Sequence, residues 1–412
     1  MLDLDKSMEF AIAEDLTLGT KIKVIGVGGG GSNAVARMMQ SGLTGCEFHI
    51  LNTDRQALIA SPLANKLAIG TKITGGLGAG SDPSVGRQAA LEDTERIIEI
   101  LEGSDMVFVA AGLGGGTGTG AAPVVASLAK EMNALTVAVV TKPFRFEGMR
   151  RMKIAEKGLG ELAETVDTVI TIPNTRLLDL ADDTTGYAEA FELADDVLRQ
   201  AVQGITDIIT TPGEINRDFA DIRTIMLGMG YAMMSTAIAS GQHAAIAAAQ
   251  KAIANPLLED GGVRGARAAL INITSSGKLP IRDIDAACQL ICEATENEDV
   301  HINYGLVRDD SMGDNVKITV IATGFRHEAM EIGQRVDLAR PVPEPEQMVM
   351  IASQPEPEPQ AAAVATVDPE PLPMEPPRPA PPPMPQPPMP GVMTGHDLDT
   401  PAFMRRERRL FH

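Results

Sequence analysis

Short runs rich in valine and isoleucine alternate with longer segments of helical spacing between Lys21 and about Ile172. The short runs are KIKVIGV, CEFHIL, DMVFVAA, LTVAVV and VDTVITI. Strands that are apolar on both faces and are separated by helices pack into a parallel sheet with helices on both sides. We therefore predict an α/β fold built on a parallel sheet for this part of the chain.

A long amphipathic segment follows at residues 187–210, YAEAFELADDVLRQAVQGITDIIT. Its apolar residues recur at three- and four-residue steps, which predicts one long helix with a buried face. That face comprises Phe191, Ala194, Leu198, Ala201, Ile205 and Ile208. After Pro212 and Gly213 the pattern predicts helices and then three strands, ARAALINIT, DVHINYGLV and VKITVIATG, around a helix at 280–294. We expect a smaller α/β domain that ends near Phe325.

Composition limits the classes of protein that the chain can belong to. A net charge of −20 disfavours broad nucleic-acid binding. No apolar run reaches the length of a membrane span, and the acidic start lacks the pattern of a secretory signal, so we expect a cytoplasmic protein. The odd number of cysteines, Cys46, Cys288 and Cys292, without a CxxC spacing, indicates buried thiols rather than a disulfide framework or a zinc site.

The first glycine-rich segment, VIGVGGGGSNAVARM, follows a predicted strand and precedes a predicted helix. Gly26, Gly28 and Gly31 fit the pattern G-x-G-x-x-G, and Asp54 follows near the end of the next strand. This arrangement is typical of dinucleotide-binding folds, so an NAD-dependent oxidoreductase is one alternative.

The second glycine-rich segment, AGLGGGTGTGAAP at 111–123, also connects a predicted strand to a predicted helix. Two such turns in one sheet present two sets of backbone N–H groups and two positive helix ends to a ligand. No lysine or arginine occurs from Gly103 to Ala129, and the Walker A pattern is absent. A phosphate chain bound here would be held by amides, hydroxyls and a metal ion. The alternative is a close helix–strand crossing that needs small residues.

The motifs resemble those of the tubulin/FtsZ family. GGGTGTG, residues 114–120, is similar to the family signature, and VIGVGGGGSNAV, NTDRQAL, TGGLGAGSDPSVGRQAA, TKPFRFEGMRR and DFADIRTIM are similar to motifs of its bacterial cell-division GTPases. The similarity runs from about Ile22 to Phe325 and resumes at LDTPAFMRR. It implies a tubulin-like fold, GTP-driven head-to-tail filaments and a cytokinetic ring at mid-cell.

The resemblance and the composition together divide the chain into six predicted segments. A flexible N-terminus covers 1–20, a GTP-binding domain 21–186, a central helix 187–210 and a C-terminal domain 211–325. A disordered linker covers 326–395, because residues 341–390 contain 19 of the 28 prolines and cannot bury a core. A partner-binding peptide covers 396–412.

The resemblance also implies which residues bind GTP or GDP. They are Gly29, Gly30, Gly31, Ser32, Asn33, Gly116, Thr117, Gly118, Glu147, Arg151, Asn174 and Asp196. Ser32 stands where the family usually has glycine. Glu147 and Arg151 would contact the ribose and phosphate side, although an exposed i,i+4 ion pair is the alternative. Asp196 would select guanine, because a carboxylate accepts hydrogen bonds from the ring N–H and the exocyclic amine that adenine lacks.

Three further residues are the candidates for catalysis: Asn216, Asp218 and Asp221, in GEINRDFADIRTIM. From spacing alone, Asp218 could instead cap a helix and Asp221 could lie in its first turn. The family resemblance implies that this loop enters the nucleotide pocket of the next subunit, where the acids orient the attacking water beside a Mg²⁺ ion that phosphates and waters hold. No direct metal-ligating residue is predicted. Glu214 and Arg217 stand where relatives usually carry apolar residues.

The C-terminal stretch resembles the family's docking peptide. Leu398 to Arg406, LDTPAFMRR, would bind membrane-tethering and regulatory division proteins, with Phe403 and Met404 as apolar anchors. Membrane association would then be indirect, since four arginines are too few for stable anchoring. Besides the oxidoreductase, a nucleotide-binding scaffold with impaired hydrolysis remains an alternative function.

Overall fold

The computed structural model describes residues 19–182, 184–211, 218–258 and 262–325, which contain ten strands joined in one sheet. The strands are β1 (Ile22–Val27), β2 (Cys46–Asn52), β3 (Lys66–Ala68), β4 (Met106–Gly112), β5 (Leu135–Lys142), β6 (Thr168–Pro173), β7 (Gly230–Ser240), β8 (Ala268–Ser275), β9 (His301–Arg308) and β10 (Asn315–Thr323). Their order in the sheet is β3-β2-β1-β4-β5-β6-β7-β10-β8-β9.

Twelve α-helices lie within the same described ranges. They are α1 (Gly28–Gln40), α2 (Arg55–Ala60), α3 (Thr71–Thr74), α4 (Pro83–Glu92), α5 (Thr94–Leu101), α6 (Thr117–Glu131), α7 (Met149–Thr165), α8 (Asn174–Leu177), α9 (Tyr187–Thr210), α10 (Phe219–Met226), α11 (Ala244–Ile253) and α12 (Ile281–Ala294). In this part of the chain, none of the helices has the length and apolarity required to cross a bilayer.

The first six strands are parallel, as predicted, and are covered by helices on both faces. Val24 and Ile25 are adjacent in β1 and fully buried, yet they belong to two different apolar clusters. Residues of α1 and α9 complete the first cluster, and residues of α4 to α7 complete the second. Residues on both faces of these strands are buried and need apolar side chains, which explains why the strands are unbroken apolar runs in the sequence.

The strand order reverses direction between β1 and β4, where the chain passes from the β1–β2–β3 side of the sheet to the β4–β5–β6 side. In open parallel sheets, ligands bind beyond the carboxyl ends of the strands at such a switch point. We call this side of the sheet the carboxyl edge and the side where the parallel strands begin the amino edge. Both glycine-rich turns lie at the carboxyl edge, directly after β1 and β4.

The predicted central helix is confirmed as α9, Tyr187–Thr210, with Ala194, Leu198, Ala201, Ile205 and Ile208 buried. The prediction for Phe191 is wrong, because 41% of this residue is exposed. Its ring contacts two other phenylalanines near the carboxyl edge rather than the core described for its neighbours.

The second region differs from the prediction at one element. The sequence predicts helices before the first of the three strands and no strand there, but residues 230–240 form β7, which pairs with β6 in parallel over three residue pairs and with β10 in antiparallel over nine. Alanine and methionine favour helices in isolation, so YAMMSTAIA carries a helical bias that the pairing on both sides overrides. The predicted strands correspond to β8, β9 and β10, and the predicted helix at 280–294 to α12.

Candidate functional site

The two glycine turns are in direct backbone contact. Val27 of β1 is the register partner of Ala111 of β4, so the first glycine loop (residues 28–33) and the second glycine loop (residues 112–118) begin side by side. Gly28 has φ of 72°, and a Cβ added to it would lie 2.7 Å from the amide nitrogen of Gly118. Neither α1 nor α6 has a side-chain N-cap, so the N–H groups of two helix starts lie at one crevice.

The glycines of the two loops are required for different reasons. At Gly31 a side chain would collide with the carbonyl oxygen of Ala110, and at Gly118 it would lie 2.6 Å from the carbonyl oxygen of Gly112. At Gly29 and Gly115, by contrast, no atom of the described chain lies within 4 Å of an added Cβ. The close helix–strand crossing therefore accounts for the first two glycines, and open space remains beside the other two.

Threonine side chains hold the second glycine loop in place. The Thr119 hydroxyl accepts a hydrogen bond from the amide of Gly114 at 2.9 Å. Thr117, a predicted ligand residue, shares a hydroxyl–hydroxyl hydrogen bond with Thr53 at 2.7 Å, and both hydroxyls are buried. The side chain of Thr117 is thus occupied by the chain itself, so it is the loop's backbone that faces the crevice.

Glu147 and Arg151 form the predicted i,i+4 ion pair, with 2.7 Å between Arg151 Nη1 and Glu147 Oε2. The other carboxylate oxygen of Glu147 accepts the amide hydrogen of Phe144 at 2.8 Å, and the Glu147 side chain is 11% exposed. A Cβ on Gly114, whose φ is 95°, would lie 2.8 Å from the carbonyl oxygen of Arg151. The pair is therefore packed against the second glycine loop and is not an isolated surface pair.

Two predicted site residues carry buried oxygen atoms that have no hydrogen-bond partner within the described ranges. They are the hydroxyl of Ser32 in α1 and Oδ1 of Asn174, and the two residues are 5% and 4% exposed. Asn174 begins α8 directly after β6, at the carboxyl edge. Because a buried unpaired acceptor is costly, both atoms are suited to hydrogen bonds from a ligand.

Asp196 lies on α9 with its carboxylate held by the same helix. Arg199 Nε donates to Oδ1 and Gln200 Nε2 donates to Oδ2, each at 2.7 Å. Burial raises the pKa of Asp196, but the two hydrogen bonds and the charges of Arg199 and Arg37 together outweigh burial, so the pKa lies below its usual value. The group is an ionised acceptor at neutral pH.

The preceding acid, Asp195, is in a different environment. Burial raises its pKa to about 6, against the charge of Arg37, whose Nε lies 3.7 Å from Oδ2, and the nearby Glu192 raises it further. In the sequence, the two adjacent acids are indistinguishable, whereas in the structure one accepts two hydrogen bonds and the other is buried against α1.

We predict that Asp195→Asn stabilises the protein at pH 7.5 by up to about 3 kcal/mol and has little effect near pH 4. The folded-state pKa is raised, so the folded chain binds the proton more tightly than the unfolded chain, and stability declines as pH rises from about 4 to about 6. Asparagine removes that titration. Urea denaturation of both proteins at the two pH values measures the difference, and an equal difference at both values would contradict it.

An aromatic cluster beside this helix was not predicted. The ring of Phe144 is stacked on Phe146, with 5.0 Å between centroids, and makes an edge contact with Phe191 at 5.2 Å. Phe144 is buried, while Phe146 and Phe191 are 63% and 41% exposed. The helical spacing of Phe191 concealed this surface, since the same spacing is typical of a core residue.

The catalytic candidates fall elsewhere. Asp218 caps α10 by accepting the amide hydrogen of Asp221 at 2.8 Å, which confirms the local geometry that spacing alone suggested. Asn216, and also Glu214 and Arg217, lie outside the described residues, as does the peptide Leu398 to Arg406.

The helix α10 is attached to the amino edge of the sheet. Arg223 donates to the carbonyl of Asn133, which precedes β5, at 3.4 Å, and the hydroxyl of Thr168, the first residue of β6, donates to the carbonyl of Met226. The eight residues of β5 span about 26 Å at ~3.3 Å per residue. The acids and the glycine loops of one chain thus lie at opposite ends of the parallel strands, about the length of β5 apart, and the structure does not bring them together.

The structure also shows the surroundings of Asp54, the acid of the dinucleotide-binding alternative, and of the side chains that could bind a metal ion. One carboxylate oxygen of Asp54 caps α2, accepting the amide hydrogens of Gln56 at 2.8 Å and Ala57 at 3.3 Å. Within the described residues no group of three or more His, Cys, Asp or Glu side chains is placed to hold a metal ion.

Two family models and one curated relative match most of the described chain. The model of the Tubulin/FtsZ family, GTPase domain, matches residues 21–182, and that of the FtsZ family, C-terminal domain, matches residues 230–326. The chain is 52% identical over 316 residues to the cell division protein FtsZ of Pseudomonas putida, covering 77% of this chain and 79% of that protein.

Solved structures show the same relationship. An empty FtsZ dimer from M. jannaschii is 39% identical with a TM-score of 0.70, covering 74% of this chain and 88% of the other. A GTPγS-bound protofilament of CetZ2 from Haloferax volcanii, 20% identical over 77% of this chain and 97% of the other, shares the fold with a TM-score of 0.66. The chain therefore belongs to the tubulin/FtsZ family and carries its GTPase domain.

Proposed function

We propose that the chain binds GTP at the crevice between the two glycine loops and hydrolyses it within head-to-tail filaments, each active site being shared by two subunits. One observation carries this proposal. Asp218 and Asp221 lie at the amino edge of the sheet, whereas the glycine loops of the same chain lie at its carboxyl edge. A contact between the amino edge of one subunit and the carboxyl edge of the next does not close on itself, so it produces an open filament.

The phosphates occupy the open space beside Gly29 and Gly115, where N–H groups at the starts of α1 and α6 point toward them. Arg151 lies against the second glycine loop and supplies the positive charge that the loop itself lacks. Asn174 Oδ1 accepts a hydrogen bond from a ribose hydroxyl, which satisfies the buried atom. The remaining binding residues are Gly30, Gly31, Ser32, Asn33, Gly116, Thr117, Gly118 and Glu147.

Asp196 accepts hydrogen bonds from the guanine base, and the base stacks on the exposed part of the Phe191 ring. The Asp196 carboxylate is ionised and half-buried, which suits it to accept two hydrogen bonds from guanine. Phe191 lies five residues earlier on the same helix, and its ring is held by Phe144. Base recognition thus depends on one acid and one aromatic ring carried by α9.

We expect Asp196→Ala to weaken GTP binding by about 10- to 100-fold and to reduce the preference for GTP over ATP, because the guanine N–H groups lose their acceptor. Competition of both nucleotides against a fluorescent GTP analogue on dilute protein measures the preference. Asp182→Ala, an exposed acid beyond α8, is a control that retains it. An unchanged preference in Asp196→Ala would refute this assignment.

The glycine loops carry no carboxylate that could bind a Mg²⁺ ion directly. An ion at this site would therefore be bound by the phosphates and by water molecules. When bound, it neutralises charge on the phosphates. We predict that chelating Mg²⁺ lowers turnover by at least about 100-fold while GDP binding to dilute protein persists. Turnover that continues in excess chelator would contradict a role for the ion.

Hydrolysis requires a polar group beside the attacking water, and Asp218 and Asp221 of the neighbouring subunit provide it. Asn216 remains a prediction on the same loop. The experiment that tests the proposal measures phosphate release per subunit over a dilution series, with sedimentation of polymer alongside. We expect release per subunit to rise with concentration and to level off once filaments form. Equal release per subunit in dilute monomers would overturn the shared site, and assembled filaments without turnover would favour the hydrolysis-impaired scaffold.

The cellular role follows from the relative that is named a cell division protein. We propose that the filaments form the cytokinetic ring on the cytoplasmic side of the membrane at the division site. Membrane-tethering proteins would hold them there through Leu398 to Arg406, which retains apolar and basic residues after the proline-rich stretch. Deleting residues 396–412 would then abolish recruitment to tether-bearing vesicles but leave assembly unchanged; continued recruitment would contradict this role.

A further inference from the structure

One guanidinium joins α1 to α9 at a place that the proposed mechanism does not use. Arg37 Nη2 lies 3.4 Å from Glu192 Oε1, and Arg37 Nε lies 3.7 Å from Asp195 Oδ2. Arg37 is in the last turn of α1, the helix that begins in the first glycine loop. Asp195 directly precedes Asp196 on α9, and Glu192 lies four residues before Asp196. The contact therefore connects the helix of the phosphate loop with the helix that carries the base-reading acid.

The hydrogen bonds of Asp196 cannot set its distance from the phosphates. Both donors, Arg199 and Gln200, lie on α9 itself, so they orient the carboxylate relative to that helix only. Val35 of α1 and Ala201 of α9 belong to one apolar cluster, so apolar packing also holds the two helices together. The ion pairs of Arg37 add contacts between defined atoms of the two helices, so they can fix the position of α9 along α1.

The location of Arg37 on α1 supports this role. Asn33 precedes Arg37 by four residues, so the two share one face of α1, and Asn33 is exposed near the start of the helix. Arg37 therefore lies one turn behind the gap that we propose the nucleotide enters.

We propose that Arg37 is a positioning residue which, by holding Glu192 and Asp195, sets the position of α9 against the first glycine loop and thereby directs Asp196 at the guanine base. This inference rests on the proposed nucleotide site. It assigns different tasks to the two adjacent acids: Asp195 holds the helix, and Asp196 contacts the ligand.

The test compares GTP with ITP, whose base lacks the exocyclic amine, on protein diluted below the assembly threshold. The variants are Arg37→Gln, Arg37→Lys, Asp195→Asn and the double variant Arg37→Gln with Asp195→Asn. Arg264→Gln, which breaks the exposed 2.9 Å pair with Glu296, is the matched control. Binding is measured by displacement of a fluorescent GDP analogue, and folding by thermal denaturation.

We expect Arg37→Gln to lower the GTP-over-ITP preference about fivefold, corresponding to one displaced hydrogen bond. Asp195→Asn should lower it similarly although this variant is at least as stable as the parent. Arg37→Lys should fall between, and the double variant should be no worse than Arg37→Gln, because both changes remove one contact. The control should retain the full preference.

An unchanged preference in Arg37→Gln and Asp195→Asn would overturn the inference, and so would an equal loss of affinity for both nucleotides, which is the result of a purely structural role. If Arg37→Gln does not fold, the ratio of GTP affinity to ITP affinity in Arg37→Lys and Asp195→Asn provides the same test. Parent protein that fails to bind GTP, or whose turnover does not depend on concentration, contradicts the proposed function instead, so the two failures are distinguishable.

Discussion

Asp221→Ala is expected to bind GTP as tightly as the parent chain and to hydrolyse it at least about 100-fold more slowly, the usual effect of removing a group that acts on the attacking water. The expectation follows from position, because α10 is fixed to the amino edge and cannot reach the glycine loops of its own chain. Nucleotide displacement on dilute protein and phosphate release from assembled protein measure the two quantities. Parent-level turnover would remove Asp221 from the mechanism.

Two further variants on α10 distinguish the loss of a catalytic carboxylate from disruption of the helix. Asp218→Asn keeps the N-cap, since asparagine caps as well as aspartate, but removes the charge, so a loss of turnover in it cannot be due to an unfolded helix. Thr224→Ala removes an exposed hydroxyl that bonds only to its own helix, at Ala220, and should leave turnover unchanged.

Mixing two defective variants tests the shared site directly. Asp221→Ala retains a complete pocket, and Asp196→Ala retains the acids but binds GTP weakly. At a GTP concentration that fills only the first pocket, a mixture should hydrolyse faster than the sum of its parts, because acids of one chain meet GTP held by the other. A mixture no faster than that sum would show that the acids do not act on a neighbour's nucleotide.

Gly31→Ala is the second change with a large expected effect. The added methyl group would collide with the carbonyl oxygen of Ala110 in β4, so α1 must shift away from the sheet. We expect a loss of about 3 kcal/mol in the free energy of unfolding, the upper end of overpacking effects, together with loss of GTP binding. Urea denaturation and nucleotide displacement measure both, and a variant as stable as the parent would contradict the crossing described here.

Gly29→Ala is the matched control, two residues earlier in the same loop. No atom of the described chain lies within 4 Å of its added Cβ, and its φ is not in the left-handed region, so the fold should tolerate it within about 0.5 kcal/mol. Its GTP affinity should nevertheless fall, because the methyl group enters the space assigned to the phosphates. Unchanged affinity would place the phosphates elsewhere.

The parallel half of the fold was predictable because its signals are local. Strands such as β4 and β5 are buried on both faces and read as apolar runs, and the glycine turns follow them directly. The strand β7 was not predictable, since YAMMSTAIA has no alternation and a helical bias, and only its pairing with β6 and β10 makes it a strand. Short β3 carries too few residues for any pattern to be visible.

The sequence could indicate where close backbone contacts require glycine, but it could not give the arrangement of the side chains around them. Spacing identified the glycines of both loops, because close backbone approach excludes side chains at fixed positions. It could not separate Asp195 from Asp196, since burial and hydrogen-bond partners depend on which helix lies opposite. Nor could it place Phe191 on the surface or Asp218 at the amino edge, because both depend on how α9 and α10 pack against the sheet.

The attachment of the acid-bearing helix to the amino edge also makes the two tips of any polymer chemically unequal. In the filament proposed above, the subunit at one tip would have no neighbour to supply Asp218 and Asp221 to its nucleotide, and the subunit at the other tip would expose its own acids to solvent. A filament of n subunits would then contain n − 1 complete active sites, and we expect the GTP at the uncovered tip to be hydrolysed more slowly than the GTP inside the filament. Subunits would accordingly add and dissociate at different rates at the two tips. The position of the short helix α10 at the amino edge would thus be enough to give the polymer a direction.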